Sequence, residues 1–184
     1  AKQLPKVEAY GDQLFVIAST GNAGGGTIQP GETAIFLGRH FIVTVRHGSA
    51  RAHTDVRARL ETLPAKLAHG PDYVLYAILD FIVDGYFPLI DAIEDRMLMV
   101  EDRVMDTPLE AAEIRQLYAQ RHEVIRFQRL TGLMKDVAGR LAGEDDLPCI
   151  DPAVRPFFRD IWDHVQRAEF RLTGLRDITA SVIE

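Results

Sequence analysis

The segment PFFRDIWDHVQRAEFRLTGLRDITASVIE, residues 156–184, carries one unbroken helical pattern. Its apolar or small residues fall at Ile161, Val165, Ala168, Leu172, Leu175, Thr179 and Val182, in steps that alternate four and three. That is the heptad spacing of a helix packed along its whole length on other helices. No Gly, Asn or Pro follows Val182 to satisfy the orphan carbonyls of a helix end. The helix is therefore expected to run on past Glu184, and the 184 residues to be a piece of a longer protein.

Upstream, a second helical pattern supplies something for that segment to pack on. A helix is expected to open near Pro71, where a proline at the first helical position loses no hydrogen bond. Leu75, Ile78, Leu79, Ile82, Leu89, Ile93, Met97, Val100 and Val104 then trace one face. Pro88 cannot donate to the carbonyl of Asp84, so the run should kink or open locally there. Thr107 and Glu110 stand at capping-box spacing, which ends this helix and starts the next. Ile114, Leu117, Ile125, Leu133, Val137 and Leu141 mark the inner face of that next helix, before Gly143 stops it. The two form a long antiparallel hairpin.

The first third reads differently. Leu14 to Ala18, Ala34 to Leu37 and Phe41 to Val45 are short apolar runs punctuated by glycine, and Gly38-Arg39-His40 is a tight turn. Val7 to Tyr10 adds an edge strand, with Pro5 near its start where a missing N–H does least harm. The expected fold class is α+β, layered in an α/β/α manner: a small, mainly antiparallel sheet, the helical hairpin and the C-terminal helix. Residues 1–70 form the strand-rich part, 71–149 the hairpin and 150–184 the start of the last helix. Gly24-Gly25-Gly26 reads as a flexible hairpin loop. A phosphate loop would need a helix N-terminus and a Gly-Lys-Ser/Thr ending, and Thr27-Ile28-Gln29-Pro30 leads into a strand instead.

Composition narrows the function. With 47% hydrophobic and 26% charged residues the chain can bury a core, and disorder is not expected. A formal charge of -6 argues against nucleic-acid partners, whose phosphates demand a basic surface. Cys149 is the sole cysteine, so no internal disulfide forms and a reducing compartment is expected. No uninterrupted apolar run reaches the roughly 18 residues of a membrane span, and no signal-peptide core opens the chain. The piece at hand should be soluble.

Charge is uneven along the hairpin. Asp80, Asp84, Asp91, Glu94, Asp95, Glu101, Asp102 and Asp106 outnumber Arg96 and Arg103 in the first arm. Arg115, Arg121, Arg126, Arg129, Lys135 and Arg140 dominate the second. Complementary solvated faces account for this pattern. A sharper reading has the acidic arm collecting hard cations such as Mg2+, which prefer carboxylate oxygen and water. His122-Glu123 begins like a zinc-protease motif but lacks the second histidine four residues on. Asp160 and His164 share a helix face at i, i+4, a spacing suited to a hydrogen bond or an interface contact. No nucleophile with its base is present, and the chain is not expected to be an enzyme.

Residues 76–87, YAILDFIVDGYF, resemble the start of the long helix in the CorA family of divalent-cation transporters. There the typical wording is Tyr-x-Leu-hydrophobic-Asp-x-hydrophobic-Val-Asp-x-Tyr-Phe. Residues 150–164, IDPAVRPFFRDIWDH, are similar to the family's segment before its stalk helix, Leu175-Arg176-Asp177-Ile178 to its continuation, and Pro5-Lys6-Val7-Glu8 to an early strand. The four segments follow the family's order and span nearly the whole chain. The resemblance implies a cation-sensing cytosolic domain of a homopentameric inner-membrane channel for Mg2+, Co2+ or Ni2+, or of a zinc-transporting relative. The last helix would then be the upper part of a stalk leading to missing membrane helices and their Gly-Met-Asn pore signature. By position in that stalk, Glu184 matches an acidic cation ligand, whereas Asp177 lies two turns away from it. A metal-independent helical interaction module is the alternative.

Overall fold

Four strands, β1 (Lys6–Tyr10), β2 (Gln13–Gly24), β3 (Thr27–Gly38) and β4 (Phe41–His47), pair in chain order as an antiparallel meander. The computed structural model describes residues 3–24, 27–48, 53–106, 110–143 and 146–183. Val7 stands opposite Val16, Val16 opposite Ile35, and Leu14 opposite Leu37. Side chains alternate across a strand, so this register gathers Val7, Leu14, Val16, Ala18, Ile35 and Leu37 in the core. The other face shows Phe36, Val43 and Val45 to solvent.

The hairpin joining β2 and β3 has longer arms than the short apolar runs Leu14 to Ala18 and Ala34 to Leu37 suggest. Pairing continues through Gly21 opposite Pro30 and Asn22 opposite Gln29 to Gly24 opposite Thr27; Gly25 and Gly26 lie outside the described residues. Packing overrides the weak strand propensity of these residues. A Cβ on Gly21 would stand 2.4 Å from Leu89 Cδ1, and the Ile28 N–H donates to the carboxylate of Glu123, so helices hold both arms of the ribbon.

Two short helices that the sequence pattern did not reveal follow the sheet, α1 (Thr54–Glu61) and α2 (Pro64–Leu67). Val56 and Leu60 are the buried residues of α1. Next come α3 (Pro71–Asp84), α4 (Tyr86–Asp106), α5 (Ala111–Gly143) and α6 (Arg155–Ile183). Pro71 does sit in the first turn of α3, behind Gly70 at φ +114°, a backbone setting that L side chains rarely adopt. The expected interruption falls at Gly85, between α3 and α4, and Pro88 occupies the first turn of α4, where no intrahelical donor is needed. Tyr86 is fully buried just past the break, and its hydroxyl donates to the Ser19 carbonyl at 2.5 Å.

Thr107 is outside the described residues, while Glu113 reaches back to the Glu110 N–H at 2.9 Å, the reciprocal arm of such a box one turn later. Along α5 the inner face holds Leu117, Val124, Phe127, Met134, Val137 and Leu141. Ile114 and Ile125, expected inside, are about 40% exposed, because α5 packs most extensively along α6 rather than α4. The face of α6 is as expected: Ile161, Val165, Ala168, Leu172, Leu175 and Thr179 are buried. Val182 has no described side-chain environment.

Cross-helix partners fix the directions. Tyr76 meets Phe158, Asp84 meets His164 and Asp91 meets Arg171, so the α3–α4 run is parallel to α6. Gln128 meets Thr173 and Lys135 meets Glu169, so α5 is antiparallel to α6. By length and composition, residues 71–103 could cross a membrane: one 18-residue window, which tolerates Asp80 and Asp84, has a mean hydropathy of 1.5. Within this fold 61% of that window is buried, as in the core helix of a globular domain.

Candidate metal centre

The seam between α3 and α6 brings together two pairs of residues, each spaced i, i+4. Asp80 and Asp84 lie on successive turns of α3, and Asp160 and His164 on successive turns of α6. Residues four apart share a helix face, and the parallel packing of the two helices sets one pair beside the other. A ligand atom from each of Asp80, Asp84 and His164 lies within 4.8 Å of the others.

Histidine164 is the hinge of this arrangement. Its Nδ1 is 3.6 Å from Asp84 Oδ1 and its Nε2 is 3.7 Å from Asp160 Oδ1, both too long for a hydrogen bond. Nδ1 is buried and has no hydrogen-bond partner. Leaving a buried polar atom unsatisfied costs about 1–3 kcal/mol, and a ligand at the seam would satisfy it. Phe87 packs edge-on to the ring at 6.4 Å between centroids, which limits how far the imidazole can turn.

The carboxylates differ in setting. Asp80 is only 8% exposed, whereas the side chains of Asp84 and Asp160 are more than half exposed and give the seam an open mouth. Burial, and then the negative charge of Asp84, push the Asp80 carboxyl above its ordinary 3.8. His164 and Arg59, whose Nη2 is 3.7 Å from Asp80 Oδ2, act in the other direction. Tyr76, one turn ahead, has its phenol pushed up to about 12 by burial and by the charge of Asp80. A buried carboxylate among like charges is poorly stabilised unless a cation joins it.

The donor set fits a divalent ion. Ligands on opposite sides of such an ion stand about 4–5 Å apart, so three atoms within 4.8 Å can face one ion. Two carboxylates suit Mg2+, while an imidazole adds affinity for Co2+, Ni2+ or Zn2+. Asp160, beside the other ring nitrogen, stands where an outer carboxylate orients a metal-binding histidine.

Other candidates are placed elsewhere. Glu184 lies outside the described residues. Asp177 is exposed and pairs with its neighbour Arg176 at 3.1 Å. Glu123 is buried, facing Arg96 at 3.4 Å and receiving the Ile28 N–H, so Glu123 serves the fold, while His122 is exposed. The charge bias along the hairpin does not pair as expected. Among the described residues, ion pairs between α4 and α5 run the opposite way, with Arg96 and Arg103 of α4 meeting Glu123 and Glu113 of α5. The acidic Asp91 and Glu94 instead meet Arg171 of α6.

Sequence reasoning named all four seam residues, Asp160 with His164 as an i, i+4 pair but Asp80 and Asp84 only among the eight carboxylates of the acidic arm. The i, i+4 spacing on each helix was the available signal; the parallel alignment of α3 with α6 was not.

A family model described as "CorA-like Mg2+ transporter protein" matches residues 1–184. The chain is 28% identical over 180 residues to the "Putative metal ion transporter YfjQ" of Bacillus subtilis strain 168, covering 98% of this chain and 55% of that protein. It is 23% identical over 188 residues to the "Cobalt/magnesium transport protein CorA" of Thermotoga maritima, covering 99% and 52%. The chain thus spans about half the length of these relatives. Its fold is similar to that of the soluble domain of CorA from Methanocaldococcus jannaschii, with a TM-score of 0.83 at 18% identity over 99% of this chain and 72% of that one.

Proposed function

This chain belongs to the CorA-like Mg2+ transporter family, and from that premise we propose that it is a cytosolic cation-sensing domain that gates a homopentameric membrane channel. The observation that carries the reading is the α3–α6 seam, where Asp80, Asp84 and His164 converge and the buried Nδ1 of His164 has no hydrogen-bond partner. A divalent ion there would tie α3, which is rooted in the core against the sheet, to α6, the helix proposed to continue as the stalk. Without it, Asp80, Asp84 and Asp160 repel one another and the two helices are freer to shift. The ligand thereby biases one of two arrangements by binding it better.

In this reading residues 1–70 and 71–149 form the body of the domain and 150–184 begin the stalk. The full-length protein sits in the cell membrane through helices that follow, with this domain on the cytoplasmic side, and works as a transporter rather than an enzyme. Glu184 remains a proposed second ligand farther along the stalk. The transported ion is Mg2+ or Co2+. The imidazole of His164 favours a second reading, a zinc- or nickel-handling relative, because nitrogen ligands shift preference toward those ions.

Flux into liposomes carrying the full-length protein tests the proposal. Raising Mg2+ on the side of this domain should suppress uptake, and the suppression should need higher Mg2+ in Asp84→Asn and His164→Ala. Identical Mg2+ dependence in all three proteins would remove the seam from gating.

A further inference from the structure

We infer that Arg59 is a built-in competitor for the cation at the α3–α6 seam, a tethered positive charge that sets how much divalent ion is needed to fill it. This rests on the cation-sensing reading above. Val56 and Leu60 are the buried residues of α1, so the helix is anchored one residue from Arg59. That anchoring sets the Arg59 Nη2 3.7 Å from Oδ2 of Asp80. The distance is too long for a forked hydrogen bond, so the contact is one of charge with charge. A guanidinium has no lone pair to offer a metal and cannot become a ligand. It can only neutralise the carboxylate that an ion would use.

The balance at the seam makes this charge count. Asp80, Asp84 and Asp160 bring three negative charges, and Arg59 and His164 are the basic groups that act on Asp80. With Arg59 in place, part of the negative potential that attracts a dication is already cancelled. The Arg59 side chain is 59% exposed, while that of Asp80 is 12% exposed. Arg59 can therefore swing into water when an ion arrives, whereas Asp80 stays where it is. The result is a soft brake: it weakens cation binding without blocking it, so the sensor fills at a higher ion concentration than its donor set alone would give.

The test is the midpoint of the cation-induced rise in melting temperature, measured with MgCl2 and with CoCl2 in this chain, in Arg59→Gln and in Arg59→Lys. Arg59→Gln should reach half-saturation at about 3- to 10-fold lower ion concentration. Arg59→Lys, which keeps the charge, should stay within about twofold of the parent. The melting temperature without added ion reports on folding for each protein. Equal midpoints for the parent and Arg59→Gln, or a higher one for Arg59→Gln, would overturn the competitor role while leaving the site itself intact. If no protein shows a saturable shift that depends on Asp80 and Asp84, the cation-sensing reading falls, and this inference with it.

Discussion

At Asp80 the stability of the fold and the proposed cation binding pull in opposite directions. A carboxyl that is buried and faces Asp84 holds its proton above 3.8, the value it returns to on unfolding. Between those two values the native state binds more protons than the unfolded one, so stability falls as pH rises through that window. Below 3.8 both states are protonated and the penalty is absent. Asp80→Asn should therefore raise the melting temperature at neutral pH in the presence of chelator. A gain of about 1 kcal/mol would appear as a rise of about 2–4 °C in a domain of this size. The same variant should lose the further rise that Mg2+ or Co2+ gives the parent. A functional carboxylate predicts this crossed pattern, whereas a purely structural one would lose stability in both conditions. Tyr86→Phe is the contrasting case: it removes the hydroxyl that donates to the Ser19 carbonyl, and should cost about 1 kcal/mol with or without ion.

Among the elements, α6 packs against α3, α4 and α5. Leu172 is fully buried, and Leu172→Ala should cost about 2–5 kcal/mol, measured by urea unfolding. The β2–β3 ribbon has a different weak point. A Cβ on Gly31 would stand 2.6 Å from the Gly48 carbonyl oxygen, which is backbone and cannot turn aside. Gly31→Ala should lower the melting temperature and disturb the β3–β4 end of the sheet, read as faster amide exchange there. Gly21→Ala should be milder, because its nearest obstacle is the movable end of Leu89. These contrasts show what was legible. The α6 pattern could be read residue by residue, because heptad spacing is local. The length of the ribbon could not, since Gly21 to Gly24 look like a loop until Leu89 and Phe127 are brought against Gly21, and Glu123 against Ile28 on the facing strand. Ile114 and Ile125 misled for the same reason: their periodicity is sound, but the partner of α5 is α6, and only the assembled fold says which face that selects.

For the molecule as a whole, α6 is the helix proposed to carry the movement of the domain body into a stalk. On one side it closes the core against α3, α4 and α5; on another, Phe170 stands 80% exposed beside Arg167 and Arg171. Phe170→Ser should leave the melting temperature of the isolated chain within about 1–2 °C, since an exposed side chain contributes little to the core. In the full-length protein, where stalk helices are proposed to meet, it should weaken the oligomer on sedimentation. The family resemblance and the α+β architecture were readable from short motifs in order along the chain. The proposed cation site was readable only in parts, Asp160 with His164 as an i, i+4 pair and Asp80 and Asp84 as members of an acidic run, because long-range alignment of two helices leaves no mark in either one.

The most direct test of the central claim is calorimetric titration of this chain with CoCl2 and MgCl2, beside Asp84→Asn and His164→Ala. Saturable binding is expected in the parent, weakened at least tenfold for Co2+ by His164→Ala and for both ions by Asp84→Asn. Unchanged binding in both variants, or no saturable binding by a well-folded parent up to tens of millimolar ion, would contradict it.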